Sequence, residues 1–150
     1  MADAAALTDH LGYWLRMVSN HVSHSFARKL EAKHVAVAEW VLMRLLFGKA
    51  PMAPSQLAGE MGMTRGAITK LADRLIEKEL IAREPSRHDA RSQTLRLTKR
   101  GQVLVPQLAA LADRNEAECF AHLSIRDKKE LQRILKETVA RLSLTNIPLE

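Results

Sequence analysis

Residues 55–101 read SQLAGEMGMTRGAITKLADRLIEKELIAREPSRHDARSQTLRLTKRG and decide the fold class of this 150-residue chain. Gln56 to Met61 are predicted to form a short helix that Gly62 ends, because glycine accepts the left-handed conformation of a tight turn. The Thr64 hydroxyl can cap a second helix. The inward face of that helix carries apolar residues at three- and four-residue spacing, namely Ile68, Leu71, Ala72 and Leu75.

Two short strands are predicted after these helices. Leu80 to Arg83 and Thr94 to Leu97 alternate apolar and polar side chains, as strands with one buried face do. The sequence PSRHDARS, residues 85–92, lies between them and has the composition of a turn. A helix-turn-helix followed by such a hairpin has a shape suited to duplex DNA.

Two helices are predicted ahead of this unit. The first has roughly six turns, begins after Thr8 or slightly earlier and carries one apolar stripe. The stripe consists of Leu7, Leu11, Trp14, Leu15, Val18, Val22, Phe26 and Leu30. The second ends near Gly48, and its inward residues are Val37, Val41, Leu42, Leu45 and Leu46. Pro54 then fits the first turn of the following short helix, where its missing N–H is harmless.

Two further helices are predicted after the hairpin. The first runs from Thr98 to about Ala121, and Pro106 is expected to kink it by removing one backbone hydrogen bond. The second runs from Ser124 to about Leu144 and opens with a Ser-x-x-Asp sequence that resembles a capping box. The fold class is therefore mainly α (α+β), a winged helix-turn-helix with flanking helices.

The long outer helices have no partner within the small central unit. Their apolar stripes come from both ends of the chain and need a further surface, and the same stripes of a second copy would supply it. We therefore expect a single domain over residues 1–150. Residues 1–34 and 102–150 would form dimerisation helices, and residues 35–101 a DNA-binding unit.

The charge distribution agrees with a polyanionic partner. Lys and Arg outnumber Asp and Glu by 23 to 17. Residues 55–100 carry ten basic and six acidic side chains, whereas residues 101–150 carry seven of each. The excess therefore lies where phosphates would contact a helix-turn-helix.

Other features of the composition indicate a cytoplasmic protein. The single cysteine, Cys119, excludes an intramolecular disulfide. The N-terminal sequence MADAAALTDH lacks the basic region of a signal peptide. No apolar run is long enough for a membrane span.

The second helix of the central unit supplies the candidate base-reading residues. Its N-terminal turns would enter the major groove, which is wide enough for a helix. Arg65 and Lys70 would contact guanine or phosphate, and Gly66 would let the backbone approach. The candidate DNA-binding residues of this helix are Thr64, Arg65, Gly66, Thr69, Lys70 and Arg74. The alternative is an amphipathic surface helix with solvated charges, with Asp73 as the main acidic exception on its outward face.

The loop between the strands supplies a second set, Arg87, His88, Asp89 and Arg91. An arginine at a hairpin tip can enter a narrow minor groove, where the negative potential is strongest. Asp89 would hold the Arg91 guanidinium through a charge-assisted pair. The alternative is a flexible charged turn.

The sequence of this unit resembles the winged helix-turn-helix of the MarR family, the multiple-antibiotic-resistance-type regulators. The matching residues are Leu57-Ala58, Gly62, Thr69, Asp73-Arg74-Leu75, Leu80-Ile81 with Arg83, Asp89-x-Arg91, and Leu97-Thr98 with Gly101. The helical order on both sides also fits, so the likeness extends over nearly all of the chain. Two departures stand out. Glu79 occupies a position after the recognition helix where the family usually has glycine, and Ala90 replaces a frequent arginine.

The resemblance implies a homodimeric transcriptional regulator that reads a palindromic operator, usually as a repressor released by a small ligand or by oxidation. By position, Thr64, Arg65, Thr69, Lys70 and Arg74 correspond to the recognition helix, and Arg91 to the wing. Family members often bind aromatic acids between the dimer helices and the DNA-reading unit. Candidate lining residues here are Tyr13, Trp14, Met17, Trp40, Met43 and Phe47, with Arg16 or Arg44 for a carboxylate. Plain core packing is the alternative for these side chains.

Few residues suggest other chemistry. His21 and His24 share a helical face, a spacing that can bind a metal, but no third ligand follows within the helix. Cys119 lies in no basic setting that would activate it, so a half-buried thiol is expected rather than a redox sensor. No cofactor and no catalytic motif are predicted. The alternatives to a DNA-binding regulator are a winged-helix protein-interaction module without DNA binding and a small helical enzyme.

Overall fold

The computed structural model describes residues 3–149 and confirms the predicted order of elements. A short 3-10 turn at Leu7–Asp9 precedes the first helix. The helices are α1 (Leu11–Glu31), α2 (Val37–Leu46), α3 (Pro54–Met61), α4 (Arg65–Glu77), α5 (Lys99–Phe120) and α6 (Ile125–Arg141). The strands are β1 (Ile81–Pro85) and β2 (Gln93–Leu97), each within two residues of its predicted bounds.

The two strands form an antiparallel hairpin, with Ile81 opposite Leu97 and Pro85 opposite Gln93. The segment before α3 adds an isolated bridge to it. The Met52 amide donates to the Leu95 carbonyl at 3.0 Å, and the Leu95 amide donates back at 2.8 Å. Local sequence did not predict this bridge, because a single pairing residue between Pro51 and Pro54 has no strand periodicity.

One hydrophobic core joins α2, α3, α4, the hairpin and the first half of α5. Leu42 and Met43 of α2 are completely buried at its centre. They are surrounded by buried side chains from the other elements, among them Leu57, Ile68, Leu71, Leu75, Leu95, Val105 and Leu108. The predicted inward face of α4 is confirmed, since all four of its apolar residues are buried.

Helix ends are fixed largely by their own sequences. The hydroxyls of Thr64, Thr98 and Ser124 accept hydrogen bonds from backbone amides three residues on, as N-caps do. Gly62 adopts the left-handed conformation that its position after α3 predicted. The C-terminal bound of α6 was placed too late, at Leu144. A left-handed Ser143 ends the helix, and the Leu144 amide turns back to the Val139 carbonyl.

Glu79 takes the left-handed conformation that a glycine usually supplies, with φ of 60°. The Leu80 amide donates to the Leu75 carbonyl and the Glu79 amide to the Ile76 carbonyl, so α4 ends in a Schellman motif. The Thr98 hydroxyl donates to the Glu79 carbonyl at 2.7 Å. The surrounding backbone therefore holds a conformation that costs a non-glycine residue about 1 kcal/mol or more.

A buried ion pair connects the end of α4 to the corner between α1 and α2. Glu39 is 3% exposed, and its carboxylate accepts from the Lys78 ammonium at 2.9 and 3.0 Å. The same ammonium donates to the His34 carbonyl at 2.7 Å. Glu39 also accepts from the Ala36 amide at 2.9 Å and so caps α2. We call these residues the Lys78 clamp.

The outer helices leave much apolar surface uncovered. Within the described chain, α6 buries none of its side chains, although Ile134, Leu135 and Val139 lie on one side of it. The N-terminal half of α1 likewise exposes Leu11 at 88% and Trp14 at 50%. The rest of α1 packs on α5.

Candidate nucleic-acid interface

Helix α4 carries an exposed basic surface along its length. Arg65, Lys70 and Arg74 are all exposed, and Thr64 is held at the helix start by its 3.1 Å bond from the Ala67 amide. The Thr69 hydroxyl donates to the Arg65 carbonyl one turn back, at 2.9 Å. A contact between that hydroxyl proton and a ligand would have to replace this internal bond.

Gly66 leaves this surface open. A Cβ built on Gly66 has no neighbouring atom within 4 Å, so nothing inside the chain requires a glycine there. Glycine in a helix costs roughly 0.5–1 kcal/mol relative to alanine. No contact within the described chain therefore accounts for this glycine, as is also the case for Gly12 and Gly59.

The loop between β1 and β2 is a structured turn. The Ser86 amide donates to the Ser92 carbonyl at 2.8 Å, and the Ser92 amide to the Asp89 carbonyl at 3.0 Å. The expected pair between Asp89 and the Arg91 guanidinium is wrong. The Asp89 carboxylate instead accepts from the backbone amide of Arg91 at 2.9 Å, because two residues of separation favour a local Asx turn. The Arg91 side chain projects from this turn, exposed like those of Arg87 and His88.

Of the ten cations of residues 55–100, four are ion-paired within the described chain and six are not, and Lys99 is the unpaired one that the sequence did not predict to contact DNA. Four cations are paired with carboxylates at 2.6 to 3.0 Å, namely Lys78, Arg83, Arg96 and Arg100. Within residues 3–149, the five cations predicted from the sequence to contact DNA have no ion-pair partner, namely Arg65, Lys70, Arg74, Arg87 and Arg91. The five cations predicted to contact DNA thus lie on α4 and on the loop between β1 and β2, and no ion pair within the described chain neutralises them.

Arg83, which the sequence indicated only as part of the family pattern, joins the two elements of this surface. Its guanidinium contacts the Asp73 carboxylate at 2.6 Å and joins β1 to the outward face of α4. The pair neutralises the one carboxylate expected to oppose a basic face. It also fixes the base of the wing against the recognition helix.

A cavity of about 330 Å³ lies between α1, α2 and α5. Of the six predicted lining residues, the structure places only Trp40 there. Met43 is completely buried in the core, and Phe47 packs against that core. Tyr13, Trp14 and Met17 lie near the start of α1, outside the cavity lining. The cavity is lined by Val22, Ser23, Phe26, Val37, Trp40, Val41, Ala112, Asn115, Glu116, Phe120 and Pro148.

A polar network lies beside the cavity. The Lys29 ammonium donates to the Asn115 side-chain oxygen and to the Ser25 hydroxyl, each at 3.0 Å, and pairs with Glu118 at 2.8 Å. The buried Asn115 amide donates to the Val22 carbonyl at 3.1 Å. The hydrogen bond from Lys29 holds the pKa of Glu118 below its ordinary value. These contacts tie α1 to α5 at the cavity.

Neither minor candidate gains support. No group of three metal-binding side chains occurs among residues 3–149, so His21 and His24 have no further ligand there. Cys119 is a half-buried free thiol. None of the helices between residues 3 and 149 combines the length and apolar character that crossing a bilayer demands.

Comparisons with known proteins agree with this geometry. The sequence model of the MarR family matches residues 36–93, from the start of α2 to the start of β2. The HTH-type transcriptional regulator MgrA of Staphylococcus aureus is 24% identical over 140 residues, which cover 93% of this chain and 94% of MgrA. The chain is therefore similar to MarR-family regulators over the helix-turn-helix and the first strand, and to MgrA along most of its length.

Solved structures show the same fold at low sequence identity. A mutant of E. coli MarR complexed with operator DNA has a TM-score of 0.74 at 23% identity, covering 86% of this chain and 93% of that one. Bordetella bronchiseptica BpsR, whose DNA binding is regulated by 6-hydroxynicotinic acid, has a TM-score of 0.76 at 16% identity. That match covers 91% of this chain and 97% of BpsR. The winged-helix fold of the MarR family is therefore shared over most of this chain.

Proposed function

We propose that this chain is a member of the MarR family and acts as a homodimeric, sequence-specific DNA-binding transcriptional regulator. The observation that carries the proposal is the set of five exposed, unpaired cations on α4 and the wing. Their carboxylate neighbours are bound elsewhere, Asp73 to Arg83 and Glu84 to Arg96. Cations without internal partners are free to replace the counterions of a phosphate backbone.

Each copy would present α4 to the major groove and the Arg91 loop to the adjacent minor groove. Arg65 and Lys70 are the candidate readers of base edges, while Arg74, Arg87 and His88 are expected to contact the backbone. Asp89 would act by shaping the turn that carries Arg91. Two copies related by a twofold axis would read a palindromic operator with half-sites roughly 10 bp apart.

Dimerisation is supported by the uncovered outer helices. Most helical stability in proteins comes from packing of an amphipathic face, so a 17-residue helix with no buried side chain needs a partner surface. The exposed side of α6 and the exposed start of α1 offer that surface to a second copy. We therefore assign residues 1–34 and 102–150 to dimerisation and residues 35–101 to DNA binding.

We further propose repression that a small aromatic ligand relieves. The cavity between α1, α2 and α5 lies where a dimerisation helix meets the DNA-reading unit. A ligand that preferred one arrangement of these helices would shift the spacing of the two recognition helices. BpsR, whose DNA binding is regulated by a small aromatic compound, is a precedent within the fold.

The direct test selects bound duplexes from a random pool and then measures affinity for the selected duplex against salt. The logarithm of affinity should fall linearly with the logarithm of salt concentration, with a slope of about 0.9 per phosphate contacted. Arg91→Ala should weaken binding and reduce the slope by about 1.8, because a dimer loses one contact from each of two wings. A monomeric reader would lose only half as much.

Lys33→Ala is the matched control, since Lys33 is exposed in the turn after α1 and lies outside the proposed DNA interface. It should leave the slope unchanged. Failure to bind any duplex at low salt would contradict the proposal and favour a protein-interaction module instead.

A further inference from the structure

Half of the aromatic residues in this chain line the cavity between α1, α2 and α5. The chain has two Trp, one Tyr and three Phe, and the cavity takes Phe26, Trp40 and Phe120. The Phe26 and Trp40 rings pack edge to face, with centroids 6.3 Å apart and planes at 82°. Aromatic rings gathered around one space can bind a flat apolar ligand or a cation, because their faces carry partial negative charge.

The polar, non-aromatic residues of the lining are Ser23, Asn115 and Glu116. Both ends of the Asn115 side chain are engaged, by Lys29 and by the Val22 carbonyl. The Lys29 ammonium is itself held by three oxygens and does not line the space. Glu116 is the only charged residue of the lining within the described chain, and its exposed carboxylate is free of ion pairs there.

Among residues 3–149, no cation lines the cavity to receive an acidic ligand. Neither Arg16 nor Arg44 lines the cavity, and the Arg44 guanidinium lies over the Phe47 ring at 5.7 Å. An aromatic carboxylate entering the space would meet a like charge with no counter-ion. A buried or partly buried anion without a partner is strongly disfavoured.

We propose that the effector of this chain is an organic cation, a small aromatic amine or ammonium compound, rather than an aromatic acid. The ring of the ligand packs against Phe26, Trp40 and Phe120, and its positive group lies near Glu116. The volume of about 330 Å³ is at the lower end of the range for small-molecule sites, which suits a compact ligand. This inference rests on the proposed ligand response, and it concerns the charge of the ligand alone.

The test compares three probes that share one ring and differ in terminal charge, phenethylamine, phenethyl alcohol and phenylpropionate. Isothermal titration calorimetry with the full chain, without DNA, should show the amine binding about tenfold tighter than phenylpropionate, as expected for attraction in one case and repulsion in the other at an exposed carboxylate. The neutral alcohol should fall between them. Equal or tighter binding of phenylpropionate overturns the proposal, and so does failure of the amine to bind.

Two carboxylate variants test whether Glu116 causes the preference for the amine. Glu116→Gln should abolish the difference between amine and alcohol, whereas Asp113→Asn should preserve it. Asp113 is the matched control because it is an exposed carboxylate on the same helix outside the lining. An unchanged preference in Glu116→Gln contradicts the proposal. Trp40→Leu gives a second measurement, since loss of the ring that packs against the shared phenyl group should weaken the amine and the alcohol alike, and unchanged affinity for both contradicts binding in this cavity.

Operator binding is measured separately, without any probe. A chain that binds its operator but prefers phenylpropionate retains the proposed function and loses this inference. A chain that prefers the amine but binds no duplex retains the cation site and loses the regulatory function. Release of the operator by the amine, and not by phenylpropionate, supports both.

Discussion

Gly66 and Gly101 each lie in the first turn of a helix, but their surroundings differ. A Cβ on Gly101 would collide with the backbone carbonyl of Leu80, so α5 can approach the end of α4 only because this residue is glycine. A Cβ on Gly66 would meet open space. Packing within the chain therefore explains Gly101 but not Gly66, at which we propose close approach of DNA.

We expect Gly66→Ala and Gly101→Ala to separate these roles. Gly66→Ala should raise the free energy of unfolding by about 0.5–1 kcal/mol, because alanine is the better helix former. The same change should weaken operator binding, since the added methyl group lies at the DNA-facing surface. Gly101→Ala should lower the free energy of unfolding by about 1–3 kcal/mol through overpacking. Denaturant titration and mobility-shift assays measure the two effects, and tighter operator binding by Gly66→Ala would contradict the docking.

At the scale of elements, the wing and recognition helix act as one unit because Arg83 joins them. The pair between Arg83 and Asp73 is more than a third exposed on both sides, so its contribution to stability is small, about 0–1 kcal/mol. Its effect is instead on charge and position. It removes a carboxylate from the DNA-facing surface and keeps a fifth arginine of the unit away from phosphates.

Asp73→Asn should release Arg83 and add one positive charge beside the reading surface. Affinity for non-specific duplex should rise and become more sensitive to salt, so the ratio of specific to non-specific affinity should fall. The double variant Asp73→Asn with Arg83→Gln restores the net charge and should return non-specific affinity close to that of the parent. Competition binding with unrelated DNA measures both ratios, and an unchanged ratio in Asp73→Asn would argue against this role.

Local sequence predicted the elements well, and distant contacts poorly. Caps such as Thr64 and the turn at Gly62 depend on neighbours within a few residues, so their structures follow from the sequence. The left-handed Glu79 was predicted from its position in the family pattern. Of the residues predicted to line a ligand pocket, only Trp40 borders the cavity. Local sequence could not identify the others, because Phe26, Trp40 and Phe120 meet only through the packing of three helices. Pairing of Arg83 and Lys78 with specific carboxylates likewise depends on tertiary structure.

At the scale of the molecule, the uncovered apolar surface of α6 is the largest unexplained feature of a single copy. Its apolar residues recur at helical spacing, and its opposite side carries internal ion pairs such as Arg133 with Glu130 at 2.7 Å. Hydrogen bonding to Arg133 holds the pKa of Glu130 below its ordinary value. One side of α6 is thus suited to water and the other to a protein surface.

Ile134→Glu should therefore convert a dimer into monomers. Burial of an isoleucine side chain is worth roughly 1.5–3 kcal/mol, and a twofold interface loses it twice. The dimer dissociation constant should rise by about a hundredfold or more, and operator affinity should fall with it. Gln132→Glu adds the same charge to the same helix at a polar position and should remain dimeric. Sedimentation velocity distinguishes them, and a dimeric Ile134→Glu protein would place the interface elsewhere.

The Lys78 clamp has a consequence for engineering new specificities into this scaffold. If α4 were transplanted as residues 65–77 alone, it would carry every proposed base-reading side chain. It would lack Lys78, which anchors the helix in this chain. Without that lysine, the buried Glu39 would lose its counter-charge and the transplanted helix its tether to the α1–α2 corner. A chimaera should therefore exchange residues 34–39 and 78 together with the helix, as a single cassette.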